Sequence, residues 1–334
     1  MPTRHLKHHN PTINKLSYPP KLDVVAVVSN SRRYESRYHL FKNFMAEMEA
    51  NPDVRLTVVE MAFRHRPHYI VDDDNERHIK LRNHHELWVK ECMINVGISR
   101  LPDDWQYVAW IDGDISFVNK DWATETIEAL QHYQVVQPWT TAMDLGPEGN
   151  AFQTHKSFGA CYLDHETNVF PQYPYGYGKP FPHPGYAWAA RREAIERMGN
   201  YMSQGLLNTA ILGAGDHHMA WALIGNGAKT VPKGVHPNYL KAVVDWEKRA
   251  QALKRNIGAL PGSILHHWHG KKKDRKYTSR WKILEEFQFD PEMDVLMDWQ
   301  GLWQLEVIDE RQRLLRDAVR EYMASRNEDS IDED

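Results

Sequence analysis

Asp23-Val24-Val25-Ala26-Val27-Val28-Ser29-Asn30 is an apolar run closed by polar turn formers. A strand with apolar side chains at successive positions has two faces to bury, the pattern of a parallel sheet covered on both sides. The residues after it alternate accordingly. Ser36 to Ala50 is periodic, with Leu40, Phe41, Phe44, Met45 and Met48 on one face, and Asn51-Pro52-Asp53 ends it. Val54 to Ala62 reads as a second strand. His85 to Ile98 reads as a helix, with Leu87, Trp88, Met93, Ile94 and Val96 available for packing. A strand through Tyr107 to Ile111, a helix over Asp121 to Tyr133 and a strand over Val135 to Trp139 complete a β-α-β-α-β order. That order predicts an α/β fold with a ligand crevice at the carboxyl ends of its strands.

Asp112-Gly113-Asp114 lies at such an end, between Tyr107–Ile111 and Ile115-Ser116-Phe117. Two carboxylates one residue apart can share a hard divalent cation. Mg²⁺ or Mn²⁺ held this way keeps open positions for substrate phosphates. Asp at a strand end is also an ordinary turn or cap residue, so the tripeptide gains meaning from its context.

Composition narrows the classes. The 334 residues are 42% hydrophobic and 26% charged, as in a globular protein with one large domain or two smaller ones. The formal charge of −4 shows no overall basic excess of the kind that advertises nucleic-acid binding. Cys92 and Cys161 each fall in an apolar stretch, which predicts buried free thiols and fits a reducing cytosol. No run approaches the roughly 20 apolar residues that span a bilayer. The polar, His- and Pro-rich start lacks the apolar core of a signal peptide, which argues against secretion or a Golgi-type anchor.

Residues 1–20 read as an irregular arm. Residues 140–186 are rich in Gly, Pro, Tyr and Phe with few periodic segments, and Tyr173–Pro180 reads as an ordered aromatic loop. Helices are expected over Arg191 to Tyr201, His217 to Ile224, Ser279 to Phe287 and Ile308 to Arg326. The acidic end, residues 328–334, reads as disordered and solvated.

Two further segments could complete a metal centre. Gly213-Ala214-Gly215-Asp216-His217-His218 is a small-residue turn entering a helix. Asp216 there either caps the helix or acts as a general base towards an acceptor hydroxyl, with His217 as the alternative base. Leu265 to Lys276 holds His266, His267 and His269 and then a basic run including Lys271, Lys272, Lys273 and Arg275. Imidazoles can complete a carboxylate metal site, and the cations can neutralise a diphosphate. A solvated basic face, a structural zinc site or a nucleic-acid phosphate contact are the alternatives.

Taken in order, Val24–Ser29, Asp112-Gly113-Asp114, Gly215-Asp216 and the late His segment resemble a GT-A-fold, nucleotide-sugar-dependent glycosyltransferase. Leu101 through Phe117, and His266 to Arg275 with Tyr277 and Arg280, also resemble bacterial and phage-type members. The resemblance runs over roughly residues 22 to 285. It implies a Rossmann-related mixed sheet flanked by helices, with a glycosyltransferase domain over 21–290, a helical extension over 291–327 and the tail. Residues 21–139 would form the nucleotide-sugar half and 140–290 the acceptor half.

The resemblance also implies roles. Asp112 would contact the ribose or the metal, and Asp114 would bind the metal. His269 resembles the late metal-binding His of β-1,4-galactosyltransferase-like enzymes, with His266 three residues earlier as a further ligand. Gly215-Asp216-His217 resembles their Gly-Glu-Asp turn, but His217 replaces the second acid. Ser29, Asn30 and Arg32 would receive the nucleotide base and ribose. Lys90 and Asn95 would face the donor unless either sits on a solvated helix face. Lys271, Lys272, Lys273 and Arg275 would screen the diphosphate. Gly185, Trp188 and Gly215 would meet the acceptor, although Trp188 fits a core position equally well. The implied cofactors are Mn²⁺ or Mg²⁺ and a nucleoside diphosphate sugar, UDP-linked as the first expectation.

The expected reaction moves the sugar to an acceptor hydroxyl with inversion, in the cytoplasm (a host's, if the gene is phage-borne). The acceptor would be a glycan or a hydroxymethylated base in DNA. A metal-dependent nucleotidyltransferase or phosphohydrolase, and a non-catalytic nucleic-acid-binding protein, are the competing classes.

Overall fold

The computed structural model describes residues 20–164, 181–199 and 205–332. The arm up to residue 19 and the aromatic loop Tyr173–Pro180 lie outside them. The first half runs β1 (Leu22–Ser29), α1 (Glu35–Ala50), β2 (Val54–Phe63), β3 (His78–Asn83), α2 (Lys90–Ser99), β4 (Tyr107–Ile111), β5 (Ile115–Phe117), α3 (Trp122–Ala129) and β6 (Val135–Gln137). A hairpin of β7 (Thr141–Leu145) and β8 (Ala151–Lys156) comes next, then α4 (Phe158–Leu163), β9 (Ala187–Arg191), α5 (Arg192–Met198), α6 (Gly215–Leu223) and α7 (Pro237–Ala250). The chain closes with β10 (Ile257–Ala259), β11 (Ser263–His266), α8 (Trp281–Glu286), the pair β12 (Val295–Met297) and β13 (Trp303–Leu305), and α9 (Glu310–Ala324).

The main sheet has the order β10-β6-β9-β4-β1-β2-β3. It is mixed: β1 runs parallel to β2 and β4, whereas β9 is antiparallel to both β4 and β6. Strands from both sides of residue 140 therefore share one sheet. The apolar run at the start of the chain is β1, and its side chains divide between two cores. Val25 packs with Val108 and Trp110 of β4 on one face, and Val24, Ala26 and Val28 pack with Ala109 and Ile111 on the other. Helix α2 contributes to the first core, and α1 to the second through Phe41, Phe44 and Met48. The expected Rossmann-related mixed sheet flanked by helices is thus present. Asp23 is fully buried among these apolar residues, because Arg55 of β2 clamps its carboxylate from Nε and Nη2 at 2.6 and 2.7 Å.

Several expectations need correction. Helix α2 begins at Lys90, not residue 85. His85 N–H donates to Asn83 Oδ1 and Trp88 N–H to the Ile211 carbonyl, both at 2.9 Å, and these partners replace intrahelical ones. Helix α3 stops at Ala129, after which tight i→i+3 turns carry the chain through residue 132. Residues 140–186 hold a hairpin and a helix where composition pointed to loop. Strand β3 and helix α7 carry no expectation at all, although α7 has Pro237 in its first turn and His236 capping the Asn238 N–H.

The acidic tail is only partly solvated where the structure describes it: Glu328 is buried, whereas Asp329, Ile331 and Asp332 are exposed. Glu328 is 2% exposed, and Asp329 accepts the N–H groups of Glu35 and Ser36 at 3.0 and 2.9 Å. The buried Arg326, the half-buried Arg37 and the open N-terminus of α1 hold these two carboxylates against the fold.

A second sheet, in the order β5-β11-β7-β8, stands beside the first. Its register brings a histidine and an acid side by side. His266 of β11 pairs across the sheet with Ile115 on one side and with Asp144 on the other, and Asp144 pairs in turn with Gln153.

Candidate active site

The small sheet assembles one half of the site. Asp114 precedes β5, and its carbonyl accepts the His267 N–H at 2.8 Å, so the end of β11 is fastened to the acidic turn. His269 Nε2 lies 3.0 Å from Asp114 Oδ2, His266 Nε2 lies 4.0 Å from Asp114 Oδ1, and the two Nε2 atoms are 3.2 Å apart. Ligand atoms of Asp114, His266 and His269 all fall within 4.8 Å of one another. Asp114 Oδ1 is buried without a hydrogen-bond partner among the described residues. Burial, reinforced by the Arg275 charge, lowers His269 to about 4 against the pull of Asp114, so the ring is neutral at neutral pH. A neutral imidazole is the form that ligates metals.

Asp144 organises this cluster from beneath. Its carboxylate accepts from His266 Nδ1 at 2.8 Å, Tyr186 Oη at 2.8 Å, His155 Nε2 at 2.7 Å and Lys272 Nζ. Burial alone would raise its pKa. The hydrogen bonds from His155 and His266, then the His266 charge and the Lys272 hydrogen bond, outweigh burial and hold it below the usual carboxylate range. The Asp144–His266 bond fixes the ring with Nε2 towards Asp114, the arrangement by which carboxylates orient metal-ligating histidines. Tyr186 reaches Asp144 with φ at +72°. A bulky residue in that region is strained, and its carbonyl is held by the Asp112 N–H at 2.8 Å.

The other half comes from α2 and α6. Lys90, at the start of α2, is ion-paired to Asp112. Burial would lower the Lys90 pKa, but the charges of Asp112, Asp216 and Glu91 raise it, so it stays an ammonium. The neighbouring Glu91 is buried, and burial pushes it up to about 7. Its carboxylate packs against Gly215, where any Cβ would collide with it. Asp216 Oδ1 accepts the His217 N–H at 2.8 Å, and Asp216 Oδ2 lies close to Gly185, 2.9 Å from where a Cβ would stand. The His217 ring stacks on Phe181, centroids 6.1 Å apart.

Guanidinium groups make the third wall. Arg275 is buried, with Nη2 3.0 Å from His269 Nε2 and Nη1 donating to Tyr277 Oη at 3.1 Å. Arg326 lies over the Trp88 ring at 4.8 Å. Together these walls enclose a cavity of about 970 Å³, lined by Asp112, Asp114, Asp216, His217, His266 and His269 among others. That is large enough for a nucleotide sugar and part of an acceptor.

The structure sorts the expected residues. Ser29, Lys90, Asp112, Asp114, Gly185, Asp216, His217, His266, His269 and Arg275 line the cavity. Six others are placed differently. Asn30 ties the turn after β1, bonding Tyr34 O and N at 2.8 and 2.9 Å. Arg32 pairs with Glu86 at 2.8 Å in a small adjoining recess. Lys273 is exposed, and it is Lys272 that faces the cavity, because Asp144 draws it inward. Trp188 is core: it is 4% exposed and donates to the Pro184 carbonyl at 2.6 Å. Gly215 serves the approach of Glu91 rather than the cavity wall. Asn95 is buried, neither solvated nor at the cavity, and bonds Leu206 N and O at 3.0 Å.

Glu91, His155, His183, Arg37 and Arg326 also line the cavity, with Asp144 behind them, and none is among the candidates named from the sequence. Only Glu91 carried a local signal, its place beside Lys90 at the start of an apolar helix. Cys92 and Cys161 are buried and not joined in a disulfide, as expected. Among the described residues no helix is long and apolar enough to cross a membrane.

No family model matches the chain, and no curated protein matches it. Among solved structures it is similar to Drosophila β-1,4-galactosyltransferase 7 in a complex with manganese, UDP-Gal and xylobiose, at 15% identity and a TM-score of 0.35 over 62% of each chain. It is also similar to a Pyrobaculum calidifontis mannosyltransferase in complex with GDP-Man and Mn²⁺, at 10% identity and a TM-score of 0.39, over 93% of this chain and 74% of that one. A third is Mycobacterium tuberculosis glucosyl-3-phosphoglycerate synthase with Mn²⁺, UDP-Glc and phosphoglyceric acid, at 11% identity and a TM-score of 0.37, over 89% of this chain and 91% of that one. The match spans 62% of the length of the first of these.

Proposed function

We propose that the protein transfers a sugar from a nucleoside diphosphate sugar to an acceptor hydroxyl with the help of a divalent cation. The observation that carries this reading is the convergence of Asp114, His266 and His269 within 4.8 Å at a cavity walled by guanidinium groups. The donor set fits a cation. Asp114 Oδ1 is buried with no hydrogen-bond partner among the described residues, and two imidazole Nε2 atoms face each other at 3.2 Å. Asp114, His266 and His269 would hold Mn²⁺ or Mg²⁺, which when bound supplies positive charge to a diphosphate leaving group. Asp112, tied to Lys90, would face the ribose or the same cation. Arg275 and Lys272 would meet the phosphates, and Ser29 the nucleoside.

Asp216 is the base. It takes the acceptor hydroxyl proton as the acceptor oxygen bonds to the anomeric carbon and the bond from that carbon to the diphosphate breaks. The single displacement inverts the centre and releases a nucleoside diphosphate, UDP in the first instance. His217, stacked on Phe181, lies beside it and is the alternative base. The acceptor is a glycan, or a hydroxymethylated base in DNA of the phage type, and the reaction is cytoplasmic. Two buried thiols with no disulfide between them support that compartment.

The test is product analysis with candidate nucleotide sugars, Mn²⁺ and both acceptor classes. Release of nucleoside diphosphate together with a sugar-bearing acceptor supports the reading. Release of pyrophosphate or orthophosphate would favour a nucleotidyltransferase or phosphohydrolase instead.

A further inference from the structure

The segment after α9 is woven into the site. Glu328 Oε2 accepts from Arg37 Nε at 2.7 Å and its Oε1 from Arg326 Nε at 2.7 Å, while its carbonyl accepts the Ser36 hydroxyl at 2.9 Å. Two residues on, the Ser330 carbonyl accepts Trp268 Nε1 at 2.6 Å. At the first anchor the chain lies on Gly270, whose φ is +84° and where a Cβ would stand 2.6 Å from the Asn327 carbonyl oxygen. The segment is thus fastened at one end to the start of α1 and at the other to the loop carrying His269. Glu328 Oε2 lies 3.9 Å from His269 Nδ1.

Placement decides between two roles for this carboxylate. Arg37 and Arg326 line the large cavity, whereas Glu328 borders only the small recess beyond them. A carboxylate in the cavity would stand in for an anionic ligand. One behind two guanidinium groups instead fixes where they point, because charge-assisted bonds from Nε constrain the plane of the group.

We propose that Glu328 is a positioning residue that aims Arg37 and Arg326 at the donor diphosphate and holds the His269 loop against the cation cluster. The proposal rests on the nucleotide-sugar donor reading of the same cavity. Its test uses the full chain, with UDP and Mn²⁺ titrated calorimetrically into the wild type, Glu328→Gln and Glu328→Asp. Glu328→Gln should weaken UDP binding in the presence of Mn²⁺ on the order of tenfold or more, and Mn²⁺ binding alone by a smaller factor. In turnover the loss should fall on KM more than on kcat. Glu328→Asp keeps the charge but is too short to serve both arginines, and its UDP affinity should fall between those of the wild type and Glu328→Gln. Unchanged UDP affinity in both variants would overturn the proposal. Tighter UDP binding by Glu328→Gln would overturn it too, since it would show the carboxylate competing for the ligand's place. Failure of the wild type to bind UDP or GDP would count against the donor reading instead, and Mn²⁺ affinity alone would still report whether Glu328 supports His269.

Discussion

Asp144 Oδ1 accepts from His266 Nδ1 at 2.8 Å, and this one bond leaves His266 Nε2 facing Asp114 and His269. The pairing arises from the parallel register of β7 with β11, which sets Asp144 directly beside His266. Asp144→Asn keeps the volume but removes the charge that orients the ring. Mn²⁺ affinity, measured by calorimetry, should fall about 10- to 100-fold, as for other carboxylates behind a ligating histidine. An unchanged affinity would mean that His266 is not a ligand.

On the proposed reading Asp216 and His217 are the two candidate bases, and they are separable. Asp216→Asn should lower kcat by about 10²- to 10⁴-fold with donor affinity nearly intact, the size of a lost general base. His217→Ala should act mainly on acceptor KM, through loss of its stack on Phe181. Reversed effects in a steady-state assay would assign the base to His217.

Glu91 links stability to pH. Burial raises it from 4.5 to about 7, beside Lys90, Asp112 and Asp216. The folded protein therefore holds this proton more tightly than the unfolded chain. The stability it contributes is present below about pH 4.5 and is lost as pH rises through about 7. Urea unfolding at pH 5 and pH 8 should show a decline in the wild type that is smaller in Glu91→Gln, by on the order of 2–3 kcal/mol. Equal declines would show that Glu91 is ionised throughout.

Trp188 distinguishes packing from recognition. Its indole N–H is satisfied by the Pro184 carbonyl within the core. Trp188→Phe should cost about 1–3 kcal/mol in unfolding free energy and leave donor and acceptor KM unchanged. A KM shift without loss of stability would restore it to the acceptor site.

Much of the fold was legible because β1, α1, β2 and β4 state their roles locally. An unbroken apolar run has two faces to bury, and a periodic run has one. Asp112, Asp114, His266 and His269 were legible too, since each pair is close in sequence and chemically conspicuous. Asp144 was not. It is one acid in a stretch of loop-like composition, and only the pairing of β7 with β11 brings it under His266. Glu328 was misjudged for the same reason. Clustered acids favour water unless buried cations are near, and Arg37 is 291 residues away in the chain. Trp188 shows the converse: a residue type suited to sugar stacking turned inward because β9 runs between β4 and β6 in the main sheet.

A cation held by Asp114, His266 and His269 should in turn recruit a nucleoside diphosphate. UDP titrated into the wild type and Asp114→Ala, with and without Mn²⁺, reads that coupling without a need for the acceptor. UDP binding should be strengthened by Mn²⁺ in the wild type, with that increment absent in a folded Asp114→Ala protein. UDP binding indifferent both to Mn²⁺ and to the loss of Asp114 would contradict a cation-assisted donor site.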